Sequence, residues 1–235
     1  GPVFEVWFDG ANGGDGWYGG AKDIRTIDRK NYYNYPRIYE MLDSIQPQAI
    51  IFSDGGPGCR WVGNEKGFAG ATNWSFLRKG EVHPGYDKNY ELQYGHPDGN
   101  QWVPAECDVS IRPGWFYHPE EDDRVKSPDQ LVDLYYRSVG HNATLLLNFP
   151  VDRRGLIHPV DSANAVRFHE MIQQQLKTNL VAGMTPKVSN ERGGDFVASA
   201  LTDDNFDTYW ATEDGVTTAD IEFSFDTPTR MNRMM

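Results

Sequence analysis

The sequence predicts an α/β fold: the C-terminal half of a (β/α)8-like (TIM) barrel, followed by the beginning of a β-sandwich module. Three observations predict it. Short apolar runs alternate with stretches of helical periodicity, the order expected of parallel strands joined by helical crossovers. Polar residues gather just after each apolar run, at Asp9 and in segments 53–65, 112–118 and 148–154. Barrel strands present their functional groups at that end. After Leu180 the texture becomes polar, with one alternating run at Ile221-Glu222-Phe223-Ser224-Phe225.

Taken in order, Val3-Phe4-Glu5-Val6-Trp7-Phe8 is β-rich and mostly apolar, hence a buried strand. Asp9 to Gly16 follows as a Gly/Asn/Asp loop. Segment 28–45 carries Tyr32, Tyr33, Tyr35, Ile38, Tyr39, Leu42 and Ile45 at helical spacing, interrupted by Pro36, with Pro47 at the exit. Ala49-Ile50-Ile51-Phe52 is a second strand that opens into a Gly-rich loop over 53–70. Segment 72–104 is rich in Gly, Pro and Trp without a period, so it reads as a long ordered loop. Asp108-Val109-Ser110-Ile111-Arg112 is a third strand. Ser127 is an N-cap with Pro128 in the first turn, and the helix buries Leu131, Val132, Leu134, Tyr135 and Val139. A fourth strand spans 143–149 and a final amphipathic helix 159–180. Four strands leave two open edges and half a core uncovered. The chain enters its first strand almost at once and ends in Arg230-Met231-Asn232-Arg233-Met234-Met235, without an element pattern. Both ends therefore read as cuts from something longer. The expected division is a barrel domain over 1–182 and a linker with a second module over 183–235.

The 235 residues include 39% hydrophobic ones, enough for a packed core, and carry a net charge of −12. That charge argues against nucleic acid and anionic membrane partners, which need a basic face. Aromatics reach 13%, compatible with a large core or with flat faces for stacking on sugars. Cys59 and Cys107 are too few for a disulfide scaffold and lie outside any metal-ligand spacing. No apolar run is long enough to span a membrane, and no leader pattern stands at the start. Neither cofactor nor metal is expected. The Gly-rich loop lacks the ending of a phosphate-binding loop, and Ala11 and Gly13 break the calcium-loop spacing of Asp9, Asn12 and Asp15.

The acidic residues carry the chemistry. Glycoside hydrolysis needs two carboxyls flanking the scissile bond. Asp9 stands at the first strand end, and Glu65 lies in the loop after the second, in Arg60-Trp61-Val62-Gly63-Asn64-Glu65. Adjacent parallel strands lie about 4.8 Å apart, compatible with the roughly 5–5.5 Å of a retaining pair. Caps and salt-bridge partners account for such residues equally well. Arg60 is suited to bidentate bonds to a carboxylate or a sugar hydroxyl.

Four motifs in order resemble glycoside hydrolase family 29, the α-L-fucosidases. They are Val6-Trp7-Phe8-Asp9-Gly10-Ala11-Asn12, Gly58-Cys59-Arg60-Trp61-Val62-Gly63-Asn64-Glu65, the run from Asp108 to His118, and Leu145-Leu146-Leu147-Asn148 with Asp152-Arg153-Arg154-Gly155. The resemblance covers about residues 1–180 and is greatest to the subfamily acting on α-1,3- and α-1,4-linked fucose. It implies Asp9 as nucleophile and Glu65 as general acid/base. Arg60, Trp115, Trp61 and Asn12 would be substrate-binding, with Trp115 a wall near the fucose methyl group. The implied substrate is a fucosylated oligosaccharide or glycoconjugate, with export from the cell. The family's usual Ser-Val-Gly-Arg-Asn reads Ser138-Val139-Gly140-His141-Asn142 here. Residues 190–228 resemble the start of a coagulation factor 5/8 type C (discoidin) domain. Two other readings remain: another retaining glycosidase on the same barrel, or a carbohydrate-binding protein without catalysis.

Overall fold

A computed structural model describes residues 1–9, 14–20 and 22–234, so Asn12 lies outside the described residues. The chain forms two compact units, Gly1–His169 and Glu170–Met235. The first unit is built on five parallel strands: β1 (Glu5–Trp7), β2 (Ile50–Ser53), β3 (Cys59–Trp61), β4 (Ala105–Ser110) and β5 (Ala143–Asn148). They lie side by side in that order, each parallel to the next. The strand missed in the sequence is β3. It has three residues, sits among glycines and carries Arg60 at its centre, so no apolar run announces it.

The sheet curls as part of a barrel. In a flat sheet β1 and β4 would stand about 14 Å apart, three strand spacings. Yet the Trp7 indole N–H donates to Glu106 Oε1 at 3.2 Å. Side chains on one face meet across two intervening strands only when that face is concave. The register sorts the residues accordingly. Trp7 pairs with Phe52, Phe52 with Cys59, and Trp61 with Glu106, so these side chains share the concave face. Trp7 stacks on Phe52 with ring centroids 4.2 Å apart.

The convex face is covered. Phe8, just after β1, meets Tyr35 and Tyr39 of α1 (Tyr35–Ile45) edge-on at 5.7 and 6.0 Å. This helix begins at Tyr35 rather than at 28, because Pro36 suits only a first turn and Asn34 before it is left-handed, with φ 49°. Leu145 and Leu147 of β5 pack with Val109, Ile111, Leu131 and Leu134 beneath α2 (Pro128–Ser138). Ser127 and Gln130 cap α2 reciprocally. A third helix, α3, spans Pro159–Gln175 and so ends five residues before Leu180.

Between β3 and β4 no α-helix forms among the described residues. Segment 62–104 takes that place, with only a short ribbon (Phe76–Leu77 with Gln101–Trp102) and a 3-10 turn at Asn89–Gln93. It has its own core of Leu77, Val82, Tyr86, Leu92 and Val103, against which Trp61 packs. Irregular backbone leaves carbonyls that need donors. Arg60, fully buried, supplies them. Its guanidinium donates to Leu92 O at 2.9 Å, Trp74 O at 3.0 Å, Asn73 Oδ1 at 2.7 Å and the Val103 carbonyl. Asn73 in turn donates to the carbonyls of His141 and Asn142, both at 2.9 Å. The His141 ring makes a contact to Ala69 O at 2.9 Å.

The second unit holds a two-residue ribbon, Lys187–Val188 with Ile221–Glu222, shorter than the alternating run from Ile221 to Phe225. Arg192 pairs with Asp214 at 2.6 Å and lies over Phe196, which contacts Tyr209.

Arg60→Met keeps the bulk and removes every donor, stranding buried acceptors at about 1–3 kcal/mol each. Urea unfolding should show a loss on the order of 3–5 kcal/mol, with Arg60→Lys recovering less than half of it, since one ammonium has three N–H donors in a different geometry.

Candidate active site

Two of the expected residues stand at the same end of the sheet. Asp9 is exposed two residues beyond β1 and Glu65 is exposed four residues beyond β3. Because β2 lies between their strands, they are not on adjacent strands as the sequence reading had it. The turn that delivers Glu65 passes through Gly63 at φ +84°, where a Cβ would sit 2.0 Å from Asn89 O, so no other residue fits there.

Trp115 reaches this site from the loop after β4, its indole N–H meeting Glu65 Oε2 at 3.3 Å. Asn148 at the end of β5 donates to the Trp115 carbonyl at 3.1 Å. The same loop is anchored by Arg112, fully buried, which donates two 2.8 Å hydrogen bonds to Asp161 and forms an ion pair with Asp122 at 2.9 Å. Its guanidinium also lies 4.7 Å from the Tyr117 ring centroid.

Arg60 is placed elsewhere. It points away from Trp61 and the concave face, into the covering segment, with its donors spent on the four oxygens named above. A sugar-binding Arg60 is therefore replaced by an Arg60 that holds the wall from which Glu65 emerges. Trp61 is half-buried, and its indole N–H donates to Asp108 Oδ1 at 2.8 Å.

The concave face also carries acids that the sequence reading passed over. Glu106 and Asp108 alternate along β4 and are 6% and 3% exposed. Their signal was present: two carboxylates two apart in an otherwise apolar buried strand. Burial pushes Glu106 up to about 7, with the Glu5 charge adding and the Trp7 N–H opposing. Burial likewise pushes Asp108 up to about 6, opposed by the Trp61 N–H and aided by the charges of Glu65 and then Asp9. Both residues of the expected pair thus act through space on one buried carboxyl.

Among the described residues, two clusters have the composition of a metal site. Glu5, Cys59 and Glu106 bring ligand atoms within 4.8 Å of one another; burial pushes the Cys59 thiol up to about 12, so a metal bound there would have to displace its proton. Glu81, Glu91 and His96 form the other. There His96 Nδ1 accepts the Arg78 N–H at 3.0 Å. Its ring proton therefore sits on Nε2, 3.5 Å from Glu91 Oε2, where a metal would need the lone pair.

A raised carboxyl makes stability pH-dependent. Glu106 favours the folded state in its protonated form. That contribution is fully present below its unfolded value of 4.5 and is lost as pH rises through about 7. Denaturation midpoints should therefore fall between pH 4.5 and 8, by roughly 2 kcal/mol from this group once water access is allowed for. Glu106→Gln, which needs no ionisation, should flatten the decline; an unchanged slope would refute the assignment.

Comparison with known proteins returns one family. The family model for alpha-L-fucosidase matches residues 16–172. Alpha-L-fucosidase 1 of Arabidopsis thaliana is 39% identical over 222 residues, which cover 91% of this chain and 40% of that protein. A glycoside hydrolase 29 family member from an unknown rumen bacterium is 49% identical, with a TM-score of 0.68 over 83% of this chain and 34% of its own. A Ruminococcus gnavus GH29 fucosidase, solved in complex with fucose, is 31% identical with a TM-score of 0.70, over 92% of this chain and 43% of its own. The chain thus spans about two fifths of the length of the relatives it matches. By a family match over most of its length and a curled parallel sheet shared with these relatives, the chain belongs to the α-L-fucosidase family, glycoside hydrolase family 29.

Proposed function

We propose that the protein carrying this chain is a retaining exo-α-L-fucosidase that removes terminal α-1,3- or α-1,4-linked L-fucose from glycans. The observation that supports it is that Asp9 and Glu65 both stand beyond the C-terminal ends of their strands, at one end of the sheet, with both charges felt by the buried Asp108. The fucose bound in the Ruminococcus gnavus relative supports the choice of sugar.

The reaction is a double displacement. The Asp9 carboxylate attacks the anomeric carbon of fucose as the bond to the leaving oxygen breaks, and the Glu65 proton passes to that oxygen. Water then attacks the fucosyl ester, gives its proton back to Glu65 and releases Asp9 and fucose. Trp115, bonded to Glu65 and 37% exposed, supplies an apolar wall for the sugar. The curl of the sheet supports the short separation that a retaining pair needs, roughly 5–5.5 Å. The Asp203-Asp204-Asn205 and Thr208-Tyr209-Trp210-Ala211 patterns support reading the second unit as part of a discoidin-like carbohydrate-binding module.

Asp9→Gly should lower kcat/KM on an aryl fucoside by about 10³-fold or more, as loss of a nucleophile does. Wild-type turnover in that variant would overturn the reading. Glu65→Gln should slow a fucosyl disaccharide by about 10²–10⁴-fold, yet slow an aryl fucoside with an acidic leaving group far less, because only the disaccharide needs protonation.

A further inference from the structure

Asp108 has no part in the proposed reaction, yet the charges of both residues that do are felt by it. Its carboxyl is almost fully buried on the concave face of β4 and makes no ion pair among the described residues. Trp61 donates to it at 2.8 Å. Trp61 ends β3, and the next residue, Val62, donates its N–H to Glu106 O at 3.1 Å, so the stem of the Glu65 loop is pinned to β4 by both backbone and side chain. The groups facing Asp108 are Asp9 from beyond β1, Glu65 from beyond β3, and Glu106 on its own strand; β5 opposes it with Leu146, and Cys107 beside it points to the other face. All the facing charges are negative.

We propose that Asp108 is a positioning residue for Glu65: it anchors the Trp61 indole at the stem of the loop that carries Glu65. The proposal rests on the fucosidase reading above. A general acid must be held within reach of the leaving oxygen, and Glu65 stands four residues beyond Trp61 on an irregular turn.

The test compares Asp108→Ala with Asp108→Asn in the protein carrying this chain. In Asp108→Ala, which loses the anchor, kcat on a fucosyl disaccharide should fall about tenfold while KM changes little; Asp108→Asn, whose amide oxygen still accepts from Trp61, should recover most of that loss. Trp61→Phe, which removes only the indole donor, should lose kcat as Asp108→Ala does, and it decides the matter if Asp108→Ala does not fold. Wild-type kcat in Trp61→Phe, or equal losses in Asp108→Asn and Asp108→Ala, overturns the proposal. The fucosidase reading stands or falls separately, on Asp9→Gly.

Discussion

Much of the first unit depends on one buried cation. A parallel sheet must be covered on its convex face, normally by the helices that connect its strands. Between β3 and β4 the cover is an irregular segment, whose carbonyls would be stranded in the interior without a donor. Arg60 resolves this from within the sheet by donating to four oxygens of that segment, with no carboxylate partner among the described residues. Burial lowers its proton affinity to about 10, so it stays charged at neutral pH. Asn73 extends the same network to His141 and Asn142, before the start of β5. The wall on which Glu65 is mounted is therefore held by hydrogen bonds more than by helix packing.

The opposite face has the reverse character. There the protein buries carboxyls with no cation beside them among the described residues. Glu5, Glu106 and Asp108 are all pushed upward, chiefly by burial, and Glu5 Oε1 is buried without a hydrogen-bond partner. Such groups cost stability, and they are met by the indoles of Trp7 and Trp61, neutral donors that leave the charges uncompensated. Stability given up in a cleft is a common mark of a working site. Arg112 shows the contrast: it pairs with Asp161 and Asp122 and tethers the loop that carries Trp115.

The legible parts of the fold were those with a strong local signal. The apolar runs of β1, β2 and β5 and the Ser127-Pro128 start of α2 are local features, and all stand where the sequence placed them. The strand β3 was not legible, since three residues around an arginine carry no period. Omitting it moved Asp9 and Glu65 one strand closer together than they are. In the same way, Pro36 marked an interruption in the sequence but turned out to be the start of α1.

The amino-acid sequence by itself determined the fold class, the strand-end setting of Asp9 and Glu65, and the family. These follow from hydrophobic period and from residue types at short spacing, which neighbours along the chain express directly. Only the tertiary structure decided what Arg60 and Asp108 do. Arg60 looked free to grip a sugar, and Asp108 looked like one more residue of a strand. Their roles come from the curl of the sheet and from the segment packed on its back, which bring together residues up to 99 positions apart, as Trp7 and Glu106 are. Which face a side chain meets, and whether its charge finds a partner there, is a property of that packing and not of the local sequence.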